Sequence, residues 1–246
     1  MLYLALLFLI LIIGSCLQRV SGMGLGLVAG PFLAVFFGPV EGILVINVLA
    51  FINAAMTTLT VRKYVDWCKV ALISSVLIFG SVPAALLIRV VSPGVLQVLV
   101  GGLLLVALAV VTFGQSRIPR ASGRIPAVTA GVVGGFMNTL AGIAGPAITV
   151  YAQMARWDQR TYAATLQPIF MVAGAISFII KLLMAAATLH VDWRIWPVGV
   201  AAMLIGIGSG IIVSKYVAKK QARRIALALA AGGGLIAVVR GAMSLV

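Results

Sequence analysis

Acidic residues are scarce in this sequence. Of its 246 residues only 4 are Asp or Glu, against 18 that are Lys or Arg. Glu41, Asp66, Asp158 and Asp192 all lie in or near gaps between apolar stretches. Transporters of cations and proton relays typically hold carboxylates inside the membrane. The scarcity therefore argues against a cation substrate and a carboxylate relay, although it does not exclude sodium held by backbone carbonyls.

Histidine and cysteine are also scarce. The chain has one histidine, His190, and two cysteines, Cys16 and Cys68. One histidine cannot build a His–His metal site, and the cysteines show neither a disulfide framework nor zinc-ligand spacing. The sequence contains no visible pair of catalytic carboxylates and no Ser/His/Asp set. It therefore predicts no metal, no cofactor and no enzymatic activity.

Apolar residues dominate instead, at 63% of the chain, while 9% are charged. A soluble domain has about 45–50% apolar and about 25% charged residues. We therefore expect an all-α polytopic membrane protein whose solvent is the lipid bilayer. The net charge of +14 falls in short gaps between apolar runs. This placement is typical of membrane topology signals and does not indicate nucleic acid as a partner.

Two apolar blocks are too long for one membrane crossing. The chain divides into blocks 2–37, 40–61, 67–90, 94–114, 126–155, 161–188, 195–216 and 223–245. Six of them suit a single crossing of about 20 residues. A straight helix through 2–37 or 126–155 would be about 45–55 Å long, against a hydrocarbon core of about 30 Å. We expect both long blocks to be broken, doubled back or strongly tilted.

Glycine and proline indicate where the long blocks break. The triplets Ala29-Gly30-Pro31 and Ala144-Gly145-Pro146 are 115 residues apart, and each follows a glycine-rich stretch. Their spacing predicts two homologous repeats, 1–115 and 125–246, joined by a basic linker at 116–124. Each repeat would contain one broken or re-entrant glycine-rich helix and three transmembrane helices. Interrupted helices at matching positions are the best sequence indication of a transporter's binding site.

The basic residues indicate how the repeats are oriented. If each long block enters the membrane and returns to the side from which it started, thirteen of the 18 basic residues lie on one face of the membrane and three on the other. The positive-inside rule then makes the basic loops cytoplasmic. This arrangement inverts the second repeat relative to the first and predicts both termini outside.

The breaks suit a small anion as ligand. A helix that restarts in mid-membrane exposes free N–H groups, and its dipole favours negative charge there. Asn and Thr donors and a Lys or Arg could complete the pocket. The candidate substrate-binding residues are Arg19, Gly22, Gly24, Gly26, Gly30, Pro31, Asn53, Thr57, Asn138, Thr139, Gly142, Gly145, Pro146, Gln167 and Lys181. Two alternatives stay open: Pro31 and Pro146 only kink their helices, and Lys181 snorkels to the outer interface.

The segments Gly22–Pro31 and Gly134–Pro146 resemble the paired glycine-rich signatures of the TauE/SafE sulfite exporter family. Length, block count and organisation in two halves are similar over nearly the whole chain. The second segment keeps Gly142 and Gly145, with Ala144 between them. The resemblance implies a bacterial-type inner-membrane permease for sulfite, sulfoacetate or other organosulfonates, usually exported.

We therefore expect a secondary transporter that moves a small sulfur-containing anion by alternating access. The two glycine–proline breaks would face each other at the anion. Three alternatives stay open: an anion channel, an uptake permease for another small organic anion, and a structural membrane protein that transports nothing.

Overall fold

The computed structural model describes residues 2–22, 25–113, 120–184, 186 and 192–245, with side chains from residue 4 onward. Within these ranges the backbone forms eleven α-helices and no strand. The helices are α1 (Leu2–Ser21), α2 (Leu25–Phe37), α3 (Pro39–Val61), α4 (Trp67–Ser74), α5 (Leu77–Val90), α6 (Pro93–Phe113), α7 (Arg124–Ala141), α8 (Gly145–Met154), α9 (Gln159–Leu183), α10 (Ile195–Val213) and α11 (Lys219–Met243).

Seven segments of the described chain are long and apolar enough to cross a membrane. Six of them are α3, α4 with α5, α6, α9, α10 and α11, which match the six blocks predicted to cross once. The seventh is α1, which forms a crossing of its own within the long first block. The expectation of an all-α polytopic membrane protein is confirmed. Gly24, His190 and linker residues 116–119 lie outside the described residues.

The predicted break at Gly30–Pro31 is wrong. Pro31 lies inside α2, and the helix continues through it to Phe37. The interruption lies earlier, between the end of α1 at Ser21 and the start of α2 at Leu25. Proline is tolerated within a membrane helix because neighbouring helices and local adjustments satisfy the backbone groups that it frees. Here Pro31 packs against Gly233 of α11.

Helix starts recur at a constant spacing, which differs from that of the two triplets. Leu25 and Gly145, which open α2 and α8, are 120 residues apart. The residues that open α3 and α9, Pro39 and Gln159, have the same separation of 120. Gly145 and Leu25 thus lie equally far before the helix that follows, whereas Gly30, 115 residues before Gly145, lies closer to its following helix.

The second long block turns back on itself. The amide of Ala121, just before α7, donates a 3.2 Å hydrogen bond to the carbonyl of Met154, at the end of α8. The hydroxyl of Tyr151 lies 3.5 Å from the carbonyl of Gly123. The end of α8 therefore lies beside the start of α7. Neither helix is long: at 1.5 Å per residue α7 spans about 27 Å and α8 about 15 Å.

Basic loops from both halves of the chain meet at one end of the bundle, which we call the basic face. The guanidinium of Arg160 lies 3.5 Å over the ring of Tyr64. Lys69 lies 4.6 Å over the ring of Trp157 and forms a salt bridge with Asp66. The opposite face holds the start of α6, where Gly94 packs against Ser244 near the C-terminus.

Capping residues set the helix starts on the basic face. Asp66 accepts the amide of Lys69 at the start of α4, at 3.1 Å. Its hydrogen bond to the Lys69 side chain holds the pKa of this carboxyl below its usual value. Asp158 accepts the amides of Arg160 and Thr161 at the start of α9, at 3.1 and 2.9 Å. Two of the four acids thus have a structural role at helix N-termini.

Helices from the two halves pack against each other throughout the bundle. The most extensive contacts pair α1 with α10, α5 with α7, α3 with α9 and α6 with α11. Glycine permits close approach, because Gly80 of α5 lies directly against the Val132 carbonyl and Gly135 of α7 against the Leu77 carbonyl. Small residues at such interfaces are typical of helix association in membranes.

Candidate functional site

The two chain interruptions meet in the middle of the bundle. Gly22, after α1, has φ +88°, and Gly142, after α7, has φ +72°, a left-handed conformation that favours glycine. Gly26, in the first turn of α2, lies against the carbonyl oxygen of Gly142 without room for a Cβ. Gly30, one turn further along, lies beside the Ala141 carbonyl. The start of α2 is thus packed directly on the end of α7.

A cavity of about 30 Å³ lies between these segments. We call it the inner cavity, and its lining residues are Gln18, Gly26, Leu27, Ala50, Asn138, Gly142, Ile143, Ala144, Gly145 and Phe170. The first turns of α2 and α8 both contribute to its wall. First-turn amides have no acceptor within their own helix, and the helix dipole favours an anion near them. The cavity has room for at least one water-sized group.

A pair of glutamines closes the inner cavity on the side of the basic face. Gln18 Nε2 donates a 2.8 Å hydrogen bond to Gln167 Oε1. Gln18 Oε1 accepts the Leu25 amide, which opens α2, at 3.1 Å. Gln167 Nε2 donates to the carbonyls of Gly22 and Ala163 at 3.2 and 3.0 Å. Both side chains are buried, so the first interruption is tied to α9 by a network that excludes water.

A pair of asparagines closes the cavity on the opposite side. Asn138 Nδ2 lies 3.3 Å from Asn47 Oδ1 and also donates to the Ala173 carbonyl at 3.0 Å. Asn47 Nδ2 donates to Ser177 Oγ at 2.8 Å. All three polar side chains are buried. The second interruption is thus tied to α3, as the first is tied to α9.

The two amide pairs occupy equivalent positions. Gln18 precedes Gly22 by four residues, and Asn138 precedes Gly142 by four; each glycine amide donates to the carbonyl of that amide residue, at 2.9 and 2.8 Å. Asn47 is eight residues from the start of α3, and Gln167 is eight from the start of α9. A shift of 120 residues therefore relates Gln18 to Asn138 and Asn47 to Gln167.

A larger cavity, of about 280 Å³, lies beyond the glutamine pair toward the basic face. We call it the vestibule, and its lining residues are Gln18, Arg19, Val20, Gly22, Thr57, Thr60, Val61, Tyr64, Arg160, Ala163, Ala164, Gln167, Ser214 and Lys219. Arg19, Arg160 and Lys219 are basic, and no described residue in this lining is acidic. Gln18 and Gln167 separate the vestibule from the inner cavity.

The structure brings most of the predicted site residues to these two cavities. Gly26, Asn138, Gly142 and Gly145 line the inner cavity. Arg19, Gly22, Thr57 and Gln167 line the vestibule.

The other candidates lie elsewhere. Pro146, the second residue of α8, faces a separate apolar groove. Asn53 and Thr139 are buried, and their polar side-chain atoms have no hydrogen-bond partner within the described chain. Lys181 is fully buried in α9, and its Nζ likewise has no partner among the described residues. It does not line either cavity.

Sequence reasoning missed Gln18, Arg160 and Lys219 and left Asn47 out of the site. Gln18 is a lone polar residue in a long apolar block, and its recurrence as Asn138 at the 120-residue spacing was the signal that could have identified it. Arg160 and Lys219 were interpreted as loop charges that set topology. Only the fold shows that they line one cavity.

The family comparison decides the class of this protein. The model for the family described as "Sulfite exporter TauE/SafE" matches residues 6–237. The chain belongs to this family. No curated protein and no solved structure matches the sequence. TauE/SafE membership confirms the resemblance and identifies a membrane permease of a sulfite-exporting family. Together with the seven apolar segments, it makes the chain a multi-pass membrane protein.

Proposed function

We propose that this protein is a secondary transporter that exports a small sulfur-containing anion, sulfite or an organosulfonate, from the cytoplasm. The observation that carries the proposal is the meeting of the α2 and α8 N-termini at one cavity that Gln18 and Asn138 also line, inside an apolar bundle. Backbone amides at these starts, with Asn138 and Gln18, supply hydrogen-bond donors for sulfonate or sulfite oxygens. Family membership supports the sulfur chemistry.

The chain forms two inverted repeats in this proposal, 1–115 and 125–246, joined by the linker 116–124. In this proposal α1 is equivalent to α7, α10 to α5, α3 to α9 and α6 to α11. The α1–α10 contact is then equivalent to the α7–α5 contact, whereas the α3–α9 and α6–α11 contacts each join two equivalent helices. All four contacts are present. The common spacing of 120 residues supports the same conclusion. With the basic face cytoplasmic in the inner membrane, the first interruption returns outward and the second returns inward.

The two amide pairs are the gates of alternating access. Breaking Gln18–Gln167 opens the inner cavity to the vestibule, and breaking Asn138–Asn47 opens it to the opposite side. Both pairs are formed in the structure, so the inner cavity is closed toward both faces. Separation of one pair at a time, by movement of α2 or α8, is therefore part of transport.

A basic residue lies close to each of the two amide pairs. Arg19 follows Gln18 directly and lines the vestibule. Lys181 lies one helical turn beyond Ser177, the partner of Asn47. The 120-residue shift places Lys181 at the position equivalent to Val61, which lines the vestibule. In this proposal Lys181 attracts the anion on the path from the inner cavity to the outer face. Thr57 lines the path to the basic face, and Asn53 lies one helical turn before it.

A substrate panel in proteoliposomes tests the proposal. Sulfite, sulfoacetate and taurine should be compared with malonate, in which a carboxylate replaces the sulfonate of sulfoacetate. We expect sulfite or sulfoacetate to be transported best. Preference for malonate would reject the sulfur assignment, and flux of none of the four would support a structural protein.

A matched pair of variants tests the location of the site. Gly145→Val would fill the inner cavity at the start of α8, whereas Gly208→Val adds a side chain where no atom lies within 4 Å. We expect Gly145→Val to abolish flux in a folded protein and Gly208→Val to retain it. Equal flux in both variants would reject the site.

A further inference from the structure

Three basic residues line the vestibule, and a role in setting membrane topology does not explain why they converge there. Arg160 and Lys219, in the first turns of α9 and α11, are 59 residues apart in sequence, and Arg19 comes from the end of α1. All three nevertheless line one cavity of about 280 Å³. Charges that only set topology are free to point into water and away from one another. Three cations around one cavity repel each other, and an anion bound among them would offset this repulsion.

Polar atoms in the vestibule wall lack partners. Arg19 Nε and Thr57 Oγ1 are buried without a hydrogen-bond partner in the described part of the chain. The Arg19 stem packs on Gly210 of α10, which holds the side chain in position. Buried donors without partners are costly in a folded protein, and an oxyanion ligand would satisfy them.

Asp158 lies near this cluster but does not neutralise it. Its carboxylate interacts with Lys219, yet it accepts hydrogen bonds from the amides of Arg160 and Thr161 in the first turn of α9. Those amides are the main reason that the pKa of Asp158 lies below its usual value. Asp158 is fixed at the helix start and is not among the residues that line the vestibule.

We infer that the vestibule is a loading site for small oxyanions, in which Arg19, Arg160 and Lys219 hold the anion on the basic face before Gln18 and Gln167 separate. This inference rests on the proposed function and adds a second binding position to it. A site that concentrates anions outside a closed gate raises the rate at which the gate captures them. The ring of Tyr64 holds the Arg160 guanidinium at the rim.

Transport measured separately from each face tests the loading site. Lys219→Gln and Arg160→Gln each remove one charge from the vestibule. Lys220→Gln removes the adjacent exposed charge, which does not line the vestibule. Inside-out vesicles present the basic face to labelled sulfite, and right-side-out vesicles present the opposite face.

We expect Lys219→Gln and Arg160→Gln to raise the sulfite KM about three- to tenfold in inside-out vesicles, with Vmax nearly unchanged. Lys220→Gln should match the wild type in both vesicle types. In right-side-out vesicles all three variants should match the wild type, because the vestibule is then on the far side of the gate. Added salt should raise the wild-type KM more than that of Lys219→Gln.

The possible failures are distinguishable. If wild-type vesicles transport sulfite and the vestibule variants keep the KM of Lys220→Gln, the loading site is rejected and the proposed function stands. A KM increase of equal size in both vesicle types would also reject it, because the effect would not belong to one face. If the wild type transports neither sulfite nor sulfoacetate, the proposed function itself fails.

Discussion

Gly26 of α2 lies directly against the carbonyl oxygen of Gly142 at the end of α7, so the two interrupted segments are joined at a point with no room for a side chain. This contact places the start of α2 and the loop that leads into α8 around one cavity. The shape of a binding site that two segments share in this way changes only when the segments move relative to each other. The contact is therefore a packing constraint at the proposed binding site.

Gly26→Ala should disrupt this contact. The new Cβ would overlap the Gly142 backbone, which cannot rotate away, and overpacking of this kind costs about 1–3 kcal/mol. We expect a lower midpoint of thermal unfolding in detergent and reduced sulfite flux. Gly208→Ala is the control, because no atom lies within 4 Å of its added Cβ and a helical Gly to Ala change stabilises by about 1 kcal/mol. Equal midpoints for the two variants would contradict the account.

Gln167→Ala and Asn47→Ala should shift the transporter in opposite directions. Each removes one gate, and a hydrogen bond worth about 0.5–1.5 kcal/mol changes the populations of two states about two- to tenfold. The measurement is labelling of Ala50→Cys, in the inner cavity, with an impermeant thiol reagent after Cys16 and Cys68 are replaced by serine.

Labelling from the basic face should accelerate in Gln167→Ala, and labelling from the opposite face should accelerate in Asn47→Ala. Acceleration from the same face in both variants would show that the two pairs do not act as opposing gates. No change in either variant would show that the amide pairs only hold the helices together.

Lys181→Met should stabilise the protein and impair transport. A fully buried lysine amine without a partner in the described chain is costly, and methionine of similar length removes that cost. We expect a higher midpoint of thermal unfolding and at least tenfold slower flux. Lys215→Met, at an exposed position, should change neither. A snorkelling lysine without a role in transport would instead leave the flux of Lys181→Met unchanged.

Asp66→Ala should lower stability through loss of the α4 cap, by about 0.5–2 kcal/mol. Asp66→Ser keeps an N-cap acceptor but loses the ion pair with Lys69, so most of the stability should return. The pKa of Asp66 is held below its ordinary value of 3.8, mainly by the hydrogen bond to Lys69. Its contribution is therefore present above pH 3.8 and disappears as the pH falls through the lower folded-state pKa. Thermal unfolding of the three proteins across pH checks this; equal stability of Ala and Ser variants would contradict the capping role.

The fold was largely predictable because lipid imposes strong constraints on sequence. Long apolar blocks predicted the six single crossings, and the excess length of 2–37 and 126–155 predicted that these blocks could not be straight. The position of the first interruption was not predictable from Pro31, because a membrane helix tolerates proline when its neighbours satisfy the backbone. Gly22, with its positive φ, marks the end of α1 instead.

The residues that line the two cavities were predictable in part. Asn138, Gly142, Gly145 and Gln167 were identified because polar or flexible residues are unusual in apolar blocks, and all four line one of the two cavities. The vestibule was not predicted, because the sequence places Arg19, Arg160 and Lys219 in three separate regions. Their convergence depends on the packing of α1 and α9 and on the turn before α11. The burial of Lys181 likewise depends on helix rotation, which block boundaries do not determine.

Counterflow of labelled sulfite into proteoliposomes tests the central claim most directly. Liposomes with wild-type protein are loaded with unlabelled sulfite and diluted into a trace of labelled sulfite. A carrier with one alternately accessible site should accumulate the label transiently above its outside concentration, with saturable kinetics. Flux that never exceeds equilibration and does not saturate would show a channel and contradict alternating access at the paired interruptions.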